Sequence, residues 1–92
     1  MSENKKCVVT IFGDEYTLVT TESEKHVMES ATSVDQLMKA IAKQAPSYEV
    51  KRVAVLAALR LASKVLELEQ KLQAQQIHMQ ELVKDLDSAM WS

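Results

Sequence analysis

From Ala54 to Ala89, apolar residues recur alternately four and three positions apart: Ala54, Ala58, Leu61, Val65, Leu68, Leu72, Met79, Leu82, Leu86 and Ala89, with Gln75 as the polar exception. This is the heptad pattern, held for about five heptads. A single helix cannot bury such a stripe against itself. A chain built around it meets other chains, so function is to be sought in an assembly before a catalytic pocket.

The rest of the composition agrees. A chain of 92 residues makes one small domain with an extension, and small domains often depend on oligomerisation. One Gly and one Pro mean few connections and long elements. Aromatic residues are only 4%, too few to anchor a large monomeric core. A net charge of −2 makes no electrostatic case for nucleic acid. Cys7 is the only cysteine, so no intrachain disulfide forms, and it reads as a small apolar residue in a strand. The polar start, Met1 to Lys6, is unlike a signal peptide, and the apolar run Val53–Leu59 is too short to span a bilayer. A soluble cytoplasmic protein with no membrane partner is expected.

The β-branched run from Cys7 to Phe12 favours a strand. Gly13-Asp14 reads as a two-residue turn, with the return strand over 15–20. That register sets Ile11 opposite Tyr16 and Val9 opposite Leu18, and gathers Cys7, Val9, Ile11, Tyr16 and Leu18 on one face. Thr21-Glu22-Ser23-Glu24 has the form of a capping box before a helix over 22–44. Val27, Met28, Ala31, Val34, Leu37, Met38, Ile41 and Ala45 line its apolar face. Pro46 ends it, and Ser47 reads as the cap of a second helix. Beyond Glu49 there is neither Gly nor Pro, so this helix is expected to reach Met90, about 60 Å at 1.5 Å per residue. Such a length outgrows any globule this chain could form, and a projecting stalk is expected.

The fold class is therefore α+β: a hairpin and a short helix forming a head, then one long coiled-coil helix. Residues 1–5 read as a disordered tail and 6–62 as the head, comprising hairpin 6–20, helix 22–44 and the start of the long helix at 48–62. Residues 63–92 are the coiled-coil stalk. Val50–Leu61 is apolar on nearly all sides, as expected where helix, hairpin and partner meet. The coiled-coil seam comprises Leu61, Val65, Leu68, Leu72, Met79, Leu82 and Leu86. Val65, Leu72, Met79 and Leu86 take position a; Leu61, Leu68, Gln75, Leu82 and Ala89 take d. A parallel pair then sets Lys64 at g against Glu69 at e of the partner, which biases orientation, while burial of the leucines drives association. Leu66, Ile77 and Val83 lie off the seam. They are either singly exposed residues or a second contact surface for a higher oligomer.

No catalytic constellation is evident, and an enzyme is not expected. His26 and His78 stand on different helices without partners at ligand spacing and read as solvated; no metal or cofactor is implied. The five methionines read as core or seam packing, and Trp91 as a cap on the coiled coil or a frayed end. Lys39, Lys43, Lys51 and Arg52 flank Pro46 and could form one basic patch. That cluster is either a solvated face or a surface for an acidic partner.

Val9-Thr10-Ile11-Phe12-Gly13 followed by Tyr16-Thr17-Leu18, and Val53-Ala54-Val55-Leu56-Ala57-Ala58-Leu59 opening the long helix, carry a resemblance over about residues 7–70. In these segments, their order and their spacing, the chain resembles the ZapA family, the FtsZ-ring-associated cell division proteins of bacteria. The resemblance implies dimers that associate antiparallel through their stalks into a tetramer. It implies heads that bind FtsZ filaments at midcell, and a bipolar assembly that crosslinks them. It also implies FtsZ contact at charged head residues, matched here by Lys39, Lys43, Lys51 and Arg52, and gives Leu66, Ile77 and Val83 a role in joining dimers. The other expectation is a coiled-coil adaptor for a different cytoplasmic assembly.

Overall fold

The structure, a computed structural model, describes residues 4–91, with side chains described as far as Asp85. Two strands precede two helices: β1 (Lys5–Ile11), β2 (Asp14–Thr20), α1 (Glu24–Gln44) and α2 (Val50–Trp91). The expected α+β class, a hairpin, a helix and then a long helix, is what the chain adopts. It divides into two compact units, Met1–Ala58 and Leu59–Ser92. Leu86, Ala89 and Trp91 lie outside the residues whose side chains are described, and with them the end of the expected seam.

The hairpin turns one position earlier than its sequence suggests. β1 and β2 are antiparallel, with Cys7 opposite Leu18, Val9 opposite Tyr16 and Ile11 opposite Asp14. The expected pairing of Val9 with Leu18 is thus displaced by two positions, from Leu18 to Tyr16. The turn residues are Phe12 and Gly13, with φ of 51° and 85°, the sign pattern of a type I′ turn. That turn matches the natural twist of a hairpin. Side chains alternate with a period of two, so a displacement of two leaves every residue on its expected face. Cys7, Val9, Ile11, Tyr16 and Leu18 do share one side.

Holding Phe12 at positive φ costs about 1–2 kcal/mol for a residue with a Cβ. Two contacts offset this. The Phe12 amide donates to Asp35 Oδ1 at 2.7 Å, and the ring packs against a core cluster. A Cβ built on Gly13 would meet nothing within 4 Å, so conformation and not space demands glycine there.

α1 starts at a different cap from the one expected. The Ser23 hydroxyl accepts the His26 amide at 3.1 Å, while Thr20 Oγ1 accepts the Glu22 amide at 3.0 Å in the preceding bend. Ser23 has the extended backbone that aims its hydroxyl into the first turn; Thr21 is left outside the helix. At the other end the residue before proline leaves helical geometry, with Ala45 at φ −132° and ψ 71°. Pro46 and Ser47 form the centre of a turn closed by the Tyr48 amide on the Ala45 carbonyl at 3.1 Å. Ser47 is therefore a turn residue, and the first helical bond of α2 runs from the Val53 amide to the Glu49 carbonyl at 3.0 Å.

Two clusters make the core of the first unit. Cys7 and Val9 of β1 meet Val27 and Ala31 of α1. Met38 and Ile41 of α1 meet Val53 and Ala57 of α2, flanked by Phe12, Val34, Leu37 and Leu56. Ile11 touches both clusters and joins them. Met28, expected on the apolar face of α1, remains 44% exposed because α1 packs on β1 and does not extend over β2. In Gly13→Ala we expect a loss of about 1–2 kcal/mol from the forced positive φ alone, read by urea unfolding at fixed chain concentration.

Candidate functional site

Burial on the hairpin is one-sided. Along β1 Cys7 and Val9 are buried, but no residue of β2 is. Tyr16 and Leu18 point to the same side as Val9, yet remain 47% and 40% exposed. They line an open groove of about 300 Å³ together with Ile11, Met38, Val50 and Ala54. Its walls are apolar, with Asp14 at the edge. Within the first unit this is an interface-like surface, with Asp14 and Tyr16 as its proton-bearing groups.

The four basic residues lie on α1 and the first turn of α2, all exposed. Two of them have local duties. Lys39 Nζ sits 2.9 Å from Asp35 Oδ2, one helical turn back. Arg52 lies over the Tyr48 ring at 4.2 Å, a cation–π contact that stiffens the turn after Pro46. Lys43 stands in the last turn of α1, where the helix dipole favours a cation. Neither Lys43 nor Lys51 has an ion-pair partner among the described residues. Of the four, these two are the more available to something outside the chain.

Asp35 and Tyr48 are the residues that sequence reasoning passed over. Asp35 to Lys39 is a legible four-residue helical spacing. The other half of Asp35's role, a bond to a backbone amide 23 positions away, has no local signature. The Lys39 ammonium, and then the Phe12 amide, hold the Asp35 carboxyl below the ordinary aspartate range; its partial burial opposes them.

In the second unit α2 stands as a single helix. Leu61, Val65, Leu68, Leu72, Met79 and Leu82 are each more than a third exposed, and so are Leu66, Ile77 and Val83. Among the described residues nothing covers the stripe. An isolated helix draws little stability from propensity alone, and a continuous apolar surface of this size marks a contact site. Lys64 and Lys71 both reach Glu67, at 4.0 Å and 3.4 Å. Lys64, expected to pair across a seam, thus already shares a carboxylate with Lys71 on its own helix.

Among the described residues no helix is long and apolar enough to cross a membrane. Nor do any three His, Cys, Asp or Glu among them gather as a metal site would require. His26 lies 3.6 Å from Glu22, exposed on α1. Cys7 is buried in the first cluster, as a small apolar residue would be.

Comparison with known proteins gives this arrangement its relatives. The family model described as "Cell division protein ZapA" matches residues 8–90. A "Cell division protein ZapA" of Geobacillus sp. (strain WCH70) is 34% identical over 73 residues, covering 77% of this chain and 84% of the relative. Among solved structures, a "ZapA mutant dimer from Geobacillus stearothermophilus" is similar with a TM-score of 0.72 and 30% identity, covering 87% of this chain and 93% of that one. An "Unknown conserved bacterial protein from Pseudomonas aeruginosa PAO1" shares the fold at a TM-score of 0.70 and 24% identity, covering 88% and 90%.

The Asp35 contacts have a pH signature. A carboxyl held below its unfolded pKa contributes stability that is fully present above about 3.9 and lost as pH falls through the lower folded value. Asp35→Asn is therefore expected to melt below the wild type at neutral pH, with the gap closing under about pH 3.9, as read by thermal unfolding across that range.

Proposed function

The chain belongs to the ZapA family of cell division proteins, and from that premise we propose that it is a non-enzymatic factor that binds FtsZ and bundles its protofilaments. It would act in the cytoplasm at midcell, where it stabilises the division ring. The observation that carries this reading is the family match over residues 8–90, joined to a long apolar stripe left open in the single chain. The solved relative described as a mutant dimer supports pairing of two chains.

In this reading the seam of Leu61, Val65, Leu68, Leu72, Met79, Leu82 and Leu86 pairs two chains. The open groove between hairpin and α2 is closed by the same partner. Leu66, Ile77 and Val83 join two such pairs into a tetramer. Lys39, Lys43, Lys51 and Arg52 meet an acidic surface on FtsZ, with Lys43 and Lys51 as the free cations. The mechanism is multivalency. One weak contact holds a filament, and a second contact on the same assembly acts at raised effective concentration on its neighbour. No chemistry is needed beyond this, and no cofactor.

Co-sedimentation with FtsZ filaments tests the proposal. We expect the protein to pellet with filaments and thicken their bundles, and Lys43→Glu with Lys51→Glu to weaken the association roughly tenfold or more. A protein that neither pellets nor bundles would sink the FtsZ reading and leave an adaptor for another assembly. In Ile77→Glu we expect a lower oligomeric mass by light scattering. An unchanged mass would remove Ile77 from the proposed second surface.

A further inference from the structure

Gln75 stands at position d, where Leu61, Leu68 and Leu82 stand in neighbouring heptads. In the single chain it is exposed, beside Ala74, His78 and Met79. If the stripe closes on a second copy, this amide leaves water with the leucines around it. A primary amide has two N–H donors and a carbonyl acceptor, and burying them without partners is unfavourable. What lies opposite Gln75 therefore discriminates between alignments in a way that no leucine can.

Three alignments differ sharply. In a parallel pair in register, d faces d, so the two Gln75 amides meet and each can donate to the other's carbonyl. A slide by one heptad sets each Gln75 against Leu68 or Leu82. A reversed pair sets d against a, so Gln75 meets a residue such as Leu72 or Met79. Both alternatives strand two amides among aliphatic side chains. We propose that Gln75 is the residue that selects parallel, in-register pairing of this chain with a second copy.

Charge points the same way, because only that alignment brings Lys64 at g to Glu69 at e across the seam. The second copy is the occupant to which a self-complementary polar layer is suited, and a relative of this fold is described as a dimer. The inference rests on the self-association proposed above and adds its direction. Parallel pairing brings two N-terminal units to one end of the pair, so their basic residues work in twos.

Disulfide trapping tests this in the full chain. Leu68→Cys and Leu82→Cys chains, each carrying Cys7→Ala, are mixed and oxidised in a glutathione buffer. Crosslinked peptides are then counted by mass spectrometry, at a dilution where light scattering reads two chains. The two reporters stand equally far on either side of Gln75. One heptad is about 10 Å of helix, more than a disulfide can span. A slide of two heptads would bring position 68 level with position 82, and a reversed pair with Gln75 opposite Leu72 would bring the two within about 4.5 Å along the axis. With Gln75 in place, same-site bonds are expected to exceed 68–82 bonds roughly tenfold or more. Gln75→Leu should bring the two within about threefold while raising the melting temperature, and Gln75→Asn should keep the original ratio. A ratio unchanged in Gln75→Leu, or 68–82 bonds as frequent as same-site bonds in the original seam, would overturn the proposal while pairing itself stands. A single-chain mass at every concentration would overturn both pairing and this inference.

Discussion

The chain carries more apolar surface than one copy of it can bury. Its core is two small clusters, built on Val9 and Ala31 on one side and on Ile41 and Val53 on the other, with Ile11 between them. Beyond that core the large side chains of β2 and of α2 from Leu59 to Val83 remain in water. Fully burying one leucine stabilises by about 1.5–3 kcal/mol, comparable to a sizeable fraction of what holds a small domain together. Every functional reading of this molecule follows from that imbalance. The surfaces that matter are those that a second molecule would complete.

Inside the first unit a single carboxylate ties the hairpin turn to α1. One oxygen of Asp35 takes the Phe12 amide and the other takes Lys39. The first contact holds a strained turn residue in place and so sets the hairpin register. The second ties down one of the basic residues proposed to meet FtsZ. Arg52 is similarly occupied by Tyr48. The proposed patch thus has two positioned cations and two free ones, Lys43 and Lys51. A charge that is already paired has less to gain from a new partner than one that is only hydrated.

Gln75 shows how a weak point in an apolar pattern can carry information. An all-leucine seam would bind more tightly and tolerate slides and reversals. A buried amide lowers stability but is satisfied in one alignment only. In the bundling role proposed above, orientation would decide where the filament-binding units lie, and specificity of alignment would then be worth its cost in affinity.

Periodicity alone settled the elements. The stripe from Ala54 onward, the apolar face of α1 and the alternation of Cys7, Val9 and Ile11 each follow from the spacing of apolar residues, which is a local property. Pro46 marked the break between helices for an equally local reason. Faces survived even where register did not, because a displacement of two positions preserves alternation. Tertiary structure decided what depends on distant partners. The turn moved to Phe12-Gly13, where Asp35 and the second cluster could support a positive φ. Ser23 and not Thr21 became the cap, its extended backbone aiming the hydroxyl at the His26 amide. The cover of β1 but not β2 left Tyr16 and Leu18 open. Those outcomes rest on contacts between residues far apart in the chain, and no local pattern encodes which distant atom will be within reach.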